Sequence, residues 1–454
     1  MPQNEILIVF TRYPEPGKVK TRMIRVLGEQ GAADLQCAMI QYTLETAGRL
    51  AATDNIAVEV HFDSGSIEDM QSAFGRSYPY IRQEGSDLGE RMLFSFSRIP
   101  TNDSCSAVII GTDCPGITEA ITRQAFCALK QNDCVLGPSY DGGYYLIGLN
   151  RPVPELFTSI PWGTGEVLNR TLVAIQKLGL RAALLKSLTD IDRPEDLPFW
   201  EKCLLARSRS MISAVIPALN ESERIEETIQ SALQGINVEV VVVDGGSIDR
   251  TRELSARMGA RVLCAGPGRA IQMNEGARSA SGEILLFLHA DTCLPRGYDE
   301  EIRAALDDKR VAVGAFSLGF DTDSIGMKLI ALGANMRSRY LSLPYGDQGL
   351  FVRKDSFLQH GCFPEFPIME DVSFIRSMKK WGRIETLPSK VITSSRRFIT
   401  LGPLRAWMLN QLAMAGFFLG VSLEDLAALY RGREQSLGIW LKRLMEAAKN
   451  RTVQ

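Results

Sequence analysis

Short runs of apolar residues recur along the chain, and each is followed by polar turn residues and then by a helical pattern. The runs are apolar at consecutive positions, which is typical of strands buried on both faces of a parallel sheet. They are Ile6–Phe10, Ile56–Phe62, Ala107–Ile110, Cys134–Leu136, Met211–Pro217, Val238–Val243 and Ile284–Leu288. Strands that alternate with helices predict an α/β fold.

The pattern of strand and helix restarts near residue 210, after the polar segment from Ala206 to Ser210. We therefore divide the chain into domains 1–209 and 210–454, each large enough to bury its own core. Both follow one plan, which predicts two related Rossmann-like domains, each with a mainly parallel sheet flanked by helices. A helical, partly apolar tail is expected over 401–449. Packing on the second domain is favoured for it over a membrane-surface or dimer contact.

One helix of the second domain is predicted in detail. Asn220 and Glu223 have the spacing of a capping box, and Gly235 is placed to end the helix. Between them, apolar residues recur on one helical face, beginning with Ile225 and Ile229. The expectation is a helix capped by Asn220.

Composition narrows the class of protein. Lys and Arg number 51 against 53 Asp and Glu, and this even balance argues against nucleic acid as a partner. Nine cysteines form no CxxC pair and there are three histidines, so neither a zinc centre nor a disulfide framework is indicated. No signal peptide is visible at the start, and the longest apolar stretch, Leu412–Val421, is too short to span a bilayer. A cytoplasmic protein without a transmembrane segment is expected.

The first candidate site lies in the loop after the first strand. Pro14, Pro16 and Gly17 favour a loop there, and it carries a cluster of cations. Those taken as candidate ligand contacts are Lys18, Lys20 and Arg22. A basic, glycine-containing loop at the carboxyl end of a strand suits a polyphosphate. The alternative is a solvated basic loop.

Acidic residues follow later strands of the first domain. Asp113 and Asp192 are candidate ligands of Mg²⁺ or Mn²⁺, with helix capping as the alternative for each. Asp141, Gly142 and Gly143 precede an aromatic strand. The paired glycines would let the backbone approach a ligand closely, while the alternative is a simple hairpin turn.

The second domain places polar residues where its own strands end. Asn220 and Glu221 lie where a nucleotide would rest, although Asn220 also suits a helix cap. Asp244 is placed to accept hydrogen bonds from a base or ribose. Arg269 opens a helix after a Gly-Pro-Gly turn and is a candidate phosphate contact, or else a surface arginine.

Two further aspartates suggest the chemistry of transfer. Asp291 ends a buried strand and is a candidate ligand for the divalent ion that bridges a nucleoside diphosphate. The nearby His289 is interpreted as a packed residue rather than a ligand. Asp371 precedes a helix, where it is a candidate general base toward an acceptor hydroxyl or else a helix cap.

Five ordered motifs over residues 4–198 carry a family resemblance. They are Pro-Gly-Lys-Val-Lys-Thr-Arg, Gly-Thr-Asp-Cys-Pro, Asp-Gly-Gly-Tyr-Tyr-Leu, Pro-Trp-Gly-Thr and Asp-Ile-Asp-Arg-Pro-Glu-Asp. This half resembles the nucleotidyltransferase-like GT-A family associated with arsenosugar-type biosynthesis. The resemblance implies phosphate contacts for Lys20 and Arg22 and metal contacts for Asp113 and Asp192.

A second set of motifs covers about residues 211–432. It comprises Ile-Pro-Ala-Leu-Asn-Glu, Val-Asp-Gly-Gly-Ser, Gly-Pro-Gly-Arg, Leu-His-Ala-Asp-Thr, Tyr-Gly-Asp-Gln-Gly, Met-Glu-Asp and Ser-Arg-Arg. This half resembles family-2 glycosyltransferases of the GT-A fold, in their arsenosugar-biosynthesis branch. The resemblance implies Asp244 on the nucleotide, Asp291 on the metal and Asp371 as base. It implies positions around the acceptor or diphosphate for Asp347, Gln348, Arg396 and Arg397.

The resemblance implies two GT-A-like domains in a bifunctional, metal-assisted enzyme. The second would transfer a sugar from a nucleoside-diphosphate donor to a small acceptor's hydroxyl. The first would act as a nucleotidyl- or glycosyltransferase. The alternatives are a pure nucleotidyltransferase with a C-terminal binding domain, and a non-catalytic nucleotide-sugar-binding scaffold. The sequence leaves the sugar, the base, the acceptor and the oligomeric state open.

Overall fold

The computed structural model describes residues 5–99 and 105–430. The chain divides into two compact units between Ser208 and Arg209, one residue before the boundary drawn from the sequence. The part of the expected tail beyond Tyr430 lies outside the described residues. In the described part of each unit a mainly parallel sheet is flanked by helices, which confirms the predicted fold class.

The first unit is built on a seven-stranded sheet. Its strands are Glu5–Arg12 (β1), Ile56–Asp63 (β2), Tyr80–Arg82 (β3), Ser106–Gly111 (β4), Cys134–Pro138 (β5), Tyr144–Leu149 (β6) and Ala182–Leu184 (β7). Its helices are Ile24–Thr53 (α1), Ile67–Phe74 (α2), Leu88–Ser97 (α3), Glu119–Leu129 (α4), Val167–Lys177 (α5) and Leu197–Arg207 (α6). The strand order is β3-β2-β1-β4-β6-β5-β7, and β6 runs antiparallel to both of its neighbours.

The second unit is built on an eight-stranded sheet of order β10-β9-β8-β11-β14-β13-β15-β12. Its strands are Ile212–Ala218 (β8), Val238–Asp244 (β9), Arg261–Cys264 (β10), Ile284–Phe287 (β11), Thr292–Cys293 (β12), Val311–Phe320 (β13), Leu350–Arg353 (β14) and Arg383–Thr393 (β15). Strand β14 is antiparallel to β11 and to β13.

Helices cover both faces of this second sheet. They are Ile225–Ala232 (α7), Thr251–Arg257 (α8), Arg269–Ser279 (α9), Tyr298–Asp307 (α10), Ile325–Leu341 (α11), Lys354–His360 (α12), Glu370–Met378 (α13), Arg396–Leu401 (α14), Pro403–Leu419 (α15) and Leu423–Tyr430 (α16). The described part of the predicted tail is therefore helical. Ala413 and Met414 of α15 are buried in one of the three core clusters found among the described residues of this unit, the packing favoured from the sequence.

Both sheets bring the ends of their parallel strands to one edge. In the first unit β1 pairs in parallel with β2 and β4, so Arg12 and Gly111 end on the same side. In the second unit β8 pairs in parallel with β9 and β11, which places the segments after Ala218, Asp244 and Phe287 together. Ligands of open α/β sheets bind at this edge.

The predicted helix cap at Asn220 is wrong. Helix α7 begins at Ile225, and its N-cap residue is Arg224, which makes no side-chain capping bond. Asn220 has a left-handed φ of 55°, and its Oδ1 accepts the backbone N–H of Ile248 at 2.9 Å. Its side chain therefore ties together the loops after β8 and β9. A contact between sequence-distant loops of this kind is not visible in local capping patterns.

Candidate functional site

The strand edge of the first unit opens into a cavity of about 660 Å³. Its walls come from the loops after β1, β4 and β5 and from the segment before α6. Among the lining residues are most of those singled out from the sequence: Lys18, Lys20, Arg22, Asp113, Asp141, Gly143 and Asp192. Residues that lie up to 174 positions apart in the sequence are thus brought to one cavity, as the parallel topology predicts.

Lys20 lies between the two carboxylates predicted to bind metal. Its Nζ is 3.0 Å from Asp113 Oδ1 and 3.4 Å from Asp192 Oδ1, and it donates to the carbonyl of Ile191 at 2.6 Å. Burial alone would lower the pKa of Lys20, but the two aspartates raise it, so the ammonium stays charged. The two carboxylates converge on one cationic group. They would hold a divalent ion only if Lys20 moved aside.

The other two cations of the loop are exposed. Arg22 donates to Asp192 Oδ2 at 2.7 Å, and Lys18 pairs with Glu15 at 2.6 Å. The phosphate contacts predicted for them remain predictions. The capping alternative fails for Asp192, since the acceptor at the following 3₁₀ turn is Asp196, which receives the N–H groups of Asp192 and Arg193.

Replacing Lys20 by methionine should weaken the first unit and make it responsive to a divalent ion. Without the ammonium, Asp113 and Asp192 repel each other, and since both are partly exposed we expect a loss of about 1–2 kcal/mol. Mn²⁺ should restore more of the melting temperature in this variant than in the wild-type chain. Lys18→Met is the control. A variant that melts like the wild type, with or without Mn²⁺, would refute this arrangement.

Asp141 and the two glycines after it form the β5–β6 hairpin connection, the alternative considered from the sequence. Asp141 Oδ1 accepts the N–H of Gly143 at 2.9 Å and the hydroxyl of Ser139 at 2.5 Å. Gly142 has a φ of 90°, and a Cβ there would collide with the carbonyl of Gly165. The turn therefore requires glycine for its own geometry, and the ligand contact stays a prediction.

The same cavity contains polar groups for which no role was predicted. The indole Nε1 of Trp162 is buried, has no hydrogen-bond partner within the described part of the chain, and belongs to a residue that lines the cavity. Arg91 also lines it and pairs with Asp63 at 2.7 Å. Trp162 belongs to the Pro-Trp-Gly-Thr motif, so the sequence identified the motif but predicted no role for this residue.

Asp244 ends β9 in the second unit with one carboxylate oxygen committed and one free. Oδ2 accepts the N–H groups of Gly246 and Ser247, both at 3.0 Å, which fixes the side chain. Oδ1 is buried and has no hydrogen-bond partner among the described residues. A buried, unpaired carboxylate oxygen is costly. It is a ready acceptor for a donor group of a ligand.

Three aspartates gather at the carboxyl edge of the second sheet, on segments far apart in sequence. Asp347 has a buried Oδ1 without a hydrogen-bond partner among the described residues. Burial, together with repulsion from Asp371 and Asp291, raises the pKa of Asp347 to about 6. Burial also raises the pKa of Asp291, against the opposing effect of Arg396 and Arg269. The charges of Arg337 and Arg269 offset part of this effect at Asp347.

Asp371 is held by two backbone groups. Its Oδ2 accepts the N–H of Gly346 at 2.7 Å, and its Oδ1 accepts the N–H of Val372, also at 2.7 Å. It is not the N-cap of α13, a position taken by Met369 with a left-handed φ of 67°. Strained backbone of this kind is concentrated at functional sites. Because Met369 and not Asp371 is the N-cap residue, the capping alternative for Asp371 is wrong.

His289 lies beside this acidic cluster. A Cβ added to Gly346 would lie 3.0 Å from His289 Nε2 and 3.4 Å from Asp371 Oδ2, so the ring borders the same small space. Burial, helped by Arg269, lowers the pKa of His289 well below its usual value, so the ring is neutral. Its Nε2 is buried without a partner among the described residues. The ring of His289 is packed, as interpreted from the sequence. The sequence did not predict that its Nε2 would lack a hydrogen-bond partner among the described residues.

Arginines surround the cluster. Arg396 pairs with both oxygens of Glu221 at 3.0 Å. Arg397 stacks on Tyr430, 3.4 Å from the ring centroid. Burial and the nearby charge of Arg269 lower the pKa of Arg397 to about 10, which still leaves it charged. Arg269 itself is exposed and lies 3.8 Å from Glu370. Two guanidinium groups near enough to repel each other suit an anion with more than one charge.

The side chain of Gln348 makes its hydrogen bonds within the protein rather than at the solvent-facing site. Its side chain is fully buried. Its Oε1 accepts the hydroxyl of Ser338 at 2.6 Å, and its Nε2 donates to the carbonyl of Phe316 at 2.9 Å. These bonds fix the loop that carries Asp347. The direct ligand contact implied for Gln348 has no free amide atom to make it, so the residue is better described as positioning Asp347.

A set of polar contacts, here called the brace, positions the segment that carries Arg396 and Arg397. The sequence did not predict it. Arg224 pairs with Asp321 at 3.1 Å. Asp321 in turn accepts the N–H and hydroxyl of Ser395, at 2.9 and 2.6 Å, directly before the two arginines. The brace joins the start of α7, the end of β13 and the start of α14. Contacts between such distant segments have no local pattern.

The fit of a divalent ion to the acidic cluster follows from its oxygens. No group of three or more Cys, His, Asp or Glu residues in the described part of the chain has the geometry of a complete metal centre. Mg²⁺ commonly takes only one or two carboxylates and completes its coordination with substrate phosphates and water. The unpaired oxygen of Asp347 and the nearby Asp291 meet that requirement.

Comparison with known proteins finds a family match in each of the two units. Residues 213–361 match the family described as glycosyl transferase family 2. Residues 44–164 match the family described as uncharacterized protein conserved in bacteria (DUF2064). The second unit therefore contains a glycosyltransferase domain, which confirms the predicted enzyme class.

Individual relatives belong to the same class. A dolichol-phosphate mannosyltransferase of Pyrococcus furiosus is 34% identical over 146 residues, which cover 29% of this chain and 41% of the relative. A glucosyl-3-phosphoglycerate synthase of Mycobacterium tuberculosis is 32% identical over 102 residues, covering 20% and 32%. The chain thus spans less than half the length of either relative.

A solved structure from Desulfovibrio desulfuricans G20, provisionally named a nucleotide-diphospho-sugar transferase, is 30% identical, with a TM-score of 0.40. The match covers 45% of this chain and 87% of that one. Within the residues that the structure describes, no helix has both the length and the apolar character to cross a membrane.

Proposed function

We propose that the second unit transfers a glycosyl group from a nucleoside-diphosphate sugar to a hydroxyl of a small acceptor. The observation that carries this proposal is the convergence of Asp244, Asp291, Asp347 and Asp371 at the carboxyl edge of a family-2 glycosyl transferase domain. The relatives named for mannosyl and glucosyl transfer support the reaction class. They leave the sugar and the acceptor of this chain open.

The donor would be held at both ends. The free Oδ1 of Asp244 would accept a hydrogen bond from the base or ribose, with Asn220 and Glu221 on the adjoining loop. Arg269 and Arg397 would face the diphosphate, where their mutual repulsion is relieved by its negative charge. Asn220 contributes by fixing the loop that follows Asp244.

A bound Mg²⁺ or Mn²⁺ would neutralise the departing diphosphate. Asp291 and Asp347 are the residues that would hold it. Asp347 would supply the second carboxylate from a loop 56 positions further along the chain.

Asp371 would act as the general base. It would accept the proton of the acceptor hydroxyl as that oxygen attacks the anomeric carbon, and the bond to the diphosphate would break as the new bond forms. One displacement of this kind inverts the anomeric centre. The N–H groups of Gly346 and Val372 hold the carboxylate in place for this task.

For the first unit we propose nucleotidyl or glycosyl transfer at its 660 Å³ cavity. Lys18, Lys20 and Arg22 would contact phosphates, and Asp113 and Asp192 would bind a metal after Lys20 shifts toward the phosphate. On this view, residues 1–209 and 210–454 act in one pathway. The arsenosugar-type biosynthesis implied by the motifs remains part of the proposal and is tested by offering acceptors with arsenical and arsenic-free side groups.

A paired assay separates the three candidate functions. The full chain is incubated with Mn²⁺ and single nucleoside-diphosphate sugars, and release of nucleoside diphosphate is followed with and without an acceptor pool. We expect acceptor-stimulated release. Pyrophosphate formed only from nucleoside triphosphate and sugar phosphate would favour the pure nucleotidyltransferase. Donor binding without any turnover would favour the scaffold.

A further inference from the structure

The side chain of His289 ends in a buried nitrogen that no described residue binds. His289 follows strand β11 and lies two residues before Asp291. Its Nε2 is buried and has no hydrogen-bond partner among the described residues. An unpaired buried polar atom costs free energy, so a native structure keeps one where a ligand or a function requires it. The roles proposed for Asp244, Asp291 and Asp371 do not use this nitrogen.

This nitrogen lies beside the proposed base. A Cβ added to Gly346 would lie 3.0 Å from Nε2 of His289 and 3.4 Å from Oδ2 of Asp371. The two atoms are therefore at most 6.4 Å apart, the sum of those distances. An oxygen atom placed between them can lie within about 3.2 Å of each, which is hydrogen-bond distance to both.

Gly346 keeps the space between these two atoms open. Its φ lies outside the left-handed region, so its backbone conformation is also accessible to residues with a side chain. A Cβ 3.0 Å from Nε2 would be closer than ordinary van der Waals contact, which begins at 3.4 Å. The backbone N–H of Gly346 also holds Oδ2 of Asp371 at 2.7 Å. The missing side chain at this position therefore serves the space in front of the base rather than the turn.

The chemistry of the two atoms selects a hydroxyl as the group between them. The carboxylate of Asp371 only accepts hydrogen bonds, whereas an Nε2 that carries hydrogen donates one. A hydroxyl does both, so it can donate to Asp371 and accept from His289 at once. A divalent ion suits this nitrogen less well, because within the described ranges His289 does not join Asp291 and Asp347 in a group with the geometry of a metal centre.

We propose that His289 binds the acceptor and orients its attacking hydroxyl, with Nε2–H donating to the hydroxyl oxygen while the hydroxyl itself donates to Oδ2 of Asp371. In the transfer step the hydroxyl proton passes to Asp371. One lone pair of the oxygen keeps the hydrogen bond from His289, and the other forms the bond to the anomeric carbon as the bond to the diphosphate breaks. His289 neither gains nor loses a proton. This assignment rests on the transfer reaction proposed for the second unit and adds a residue to its acceptor side.

The test compares His289→Leu and His289→Gln in the full chain with Mn²⁺, using UDP-glucose or GDP-mannose as donor and glycerol as the acceptor probe. Without glycerol, water takes the place of the acceptor. We expect His289→Leu to lower both rates by about tenfold, the loss of one hydrogen bond, with donor affinity unchanged. His289→Gln supplies an amide N–H near the position of Nε2 and should recover most of the rate. His360→Leu, at a histidine stacked on Trp381, is the matched control and should react like the wild type.

A second variant tests the space itself. Gly346→Ala places a Cβ between Nε2 of His289 and Oδ2 of Asp371, and we expect transfer to glycerol to fall while the affinity for UDP, measured by calorimetry, stays unchanged. Gly333→Ala is the control, since an added Cβ there meets no atom within 4 Å. The chain has three histidines, so ¹⁵N NMR of the histidine-labelled protein can resolve each ring. We expect the hydrogen of His289 on Nε2.

Several results would overturn the proposal. Unchanged turnover in His289→Leu would remove the assignment and leave the transfer reaction intact. Loss of donor affinity in the same variant would place His289 on the donor, and a hydrogen on Nδ1 instead of Nε2 would exclude the donated bond. A wild-type chain that turns over neither donor, in glycerol or in water, would count against the transfer reaction itself. Melting curves check folding, and if His289→Leu does not fold, Gly346→Ala and the NMR spectrum decide.

Discussion

Replacing Asp371 by asparagine should lower glycosyl transfer by about 10²–10⁴-fold, the usual contribution of a general base. An amide cannot take the proton from an attacking hydroxyl, yet its size matches that of the carboxylate. The amide oxygen can still accept the N–H of Gly346, which in the wild type donates to the carboxylate at 2.7 Å. Donor binding should change little, because Asp371 acts on the acceptor side. The measurement is turnover at saturating donor together with donor affinity by calorimetry.

The matched control for this variant is Asp355→Asn. Asp355 lies in the first turn of α12 and is exposed, so its loss removes the same charge without entering the acidic cluster. We expect wild-type turnover from it. If Asp371→Asn retains turnover as well, the base is another residue. If both donor affinity and turnover disappear, Asp371 holds the donor instead.

The second large effect concerns Asp291 and the divalent ion. Chelation by EDTA should abolish transfer, and Mn²⁺ or Mg²⁺ should restore it. Asp291→Asn should weaken Mn²⁺ binding in the presence of nucleoside diphosphate by roughly 100-fold, as expected for loss of a charged ligand. Binding is read by electron paramagnetic resonance of free Mn²⁺, which does not depend on turnover. Asp347→Asn should weaken the same binding, since its unpaired oxygen faces the same cluster.

Asp323→Asn is the control for the metal experiments. Asp323 is fully exposed and pairs only with Lys328 among the described contacts, so its replacement should leave Mn²⁺ binding unchanged. Transfer that continues in EDTA would exclude a role for the ion. Unchanged Mn²⁺ affinity in Asp291→Asn would move the metal elsewhere, even if turnover fell.

Much of the architecture could be predicted because it depends on local patterns. The strands predicted at Ile6–Phe10 and Val238–Val243 lie within β1 and β9, since runs of buried β-branched residues have few alternatives to a parallel sheet. Ligands bind where parallel strands end, and on this rule Asp113 and Asp192 were expected at one site. Both line the same cavity.

The remaining features depend on contacts between segments that are distant in sequence. Asn220 is a residue type that favours helix caps, but its side chain accepts the N–H of Ile248, because the loop after β9 lies next to it. Lys20 has the pattern of a phosphate ligand, yet only the folded chain shows it between two carboxylates. Asp347 gains its raised pKa from Asp371 and Asp291 as well as from burial. No local spacing carries this information.

One measurement tests the central claim most directly: a crystal structure of the full chain with Mn²⁺ and a non-hydrolysable nucleoside-diphosphate sugar, with the ion located by its anomalous signal. The account predicts a manganese peak in contact with the side chain of Asp291 and the donor's two phosphates, with Asp371 facing the anomeric carbon. A donor bound at that edge with its metal and Asp291 turned away from each other would contradict it.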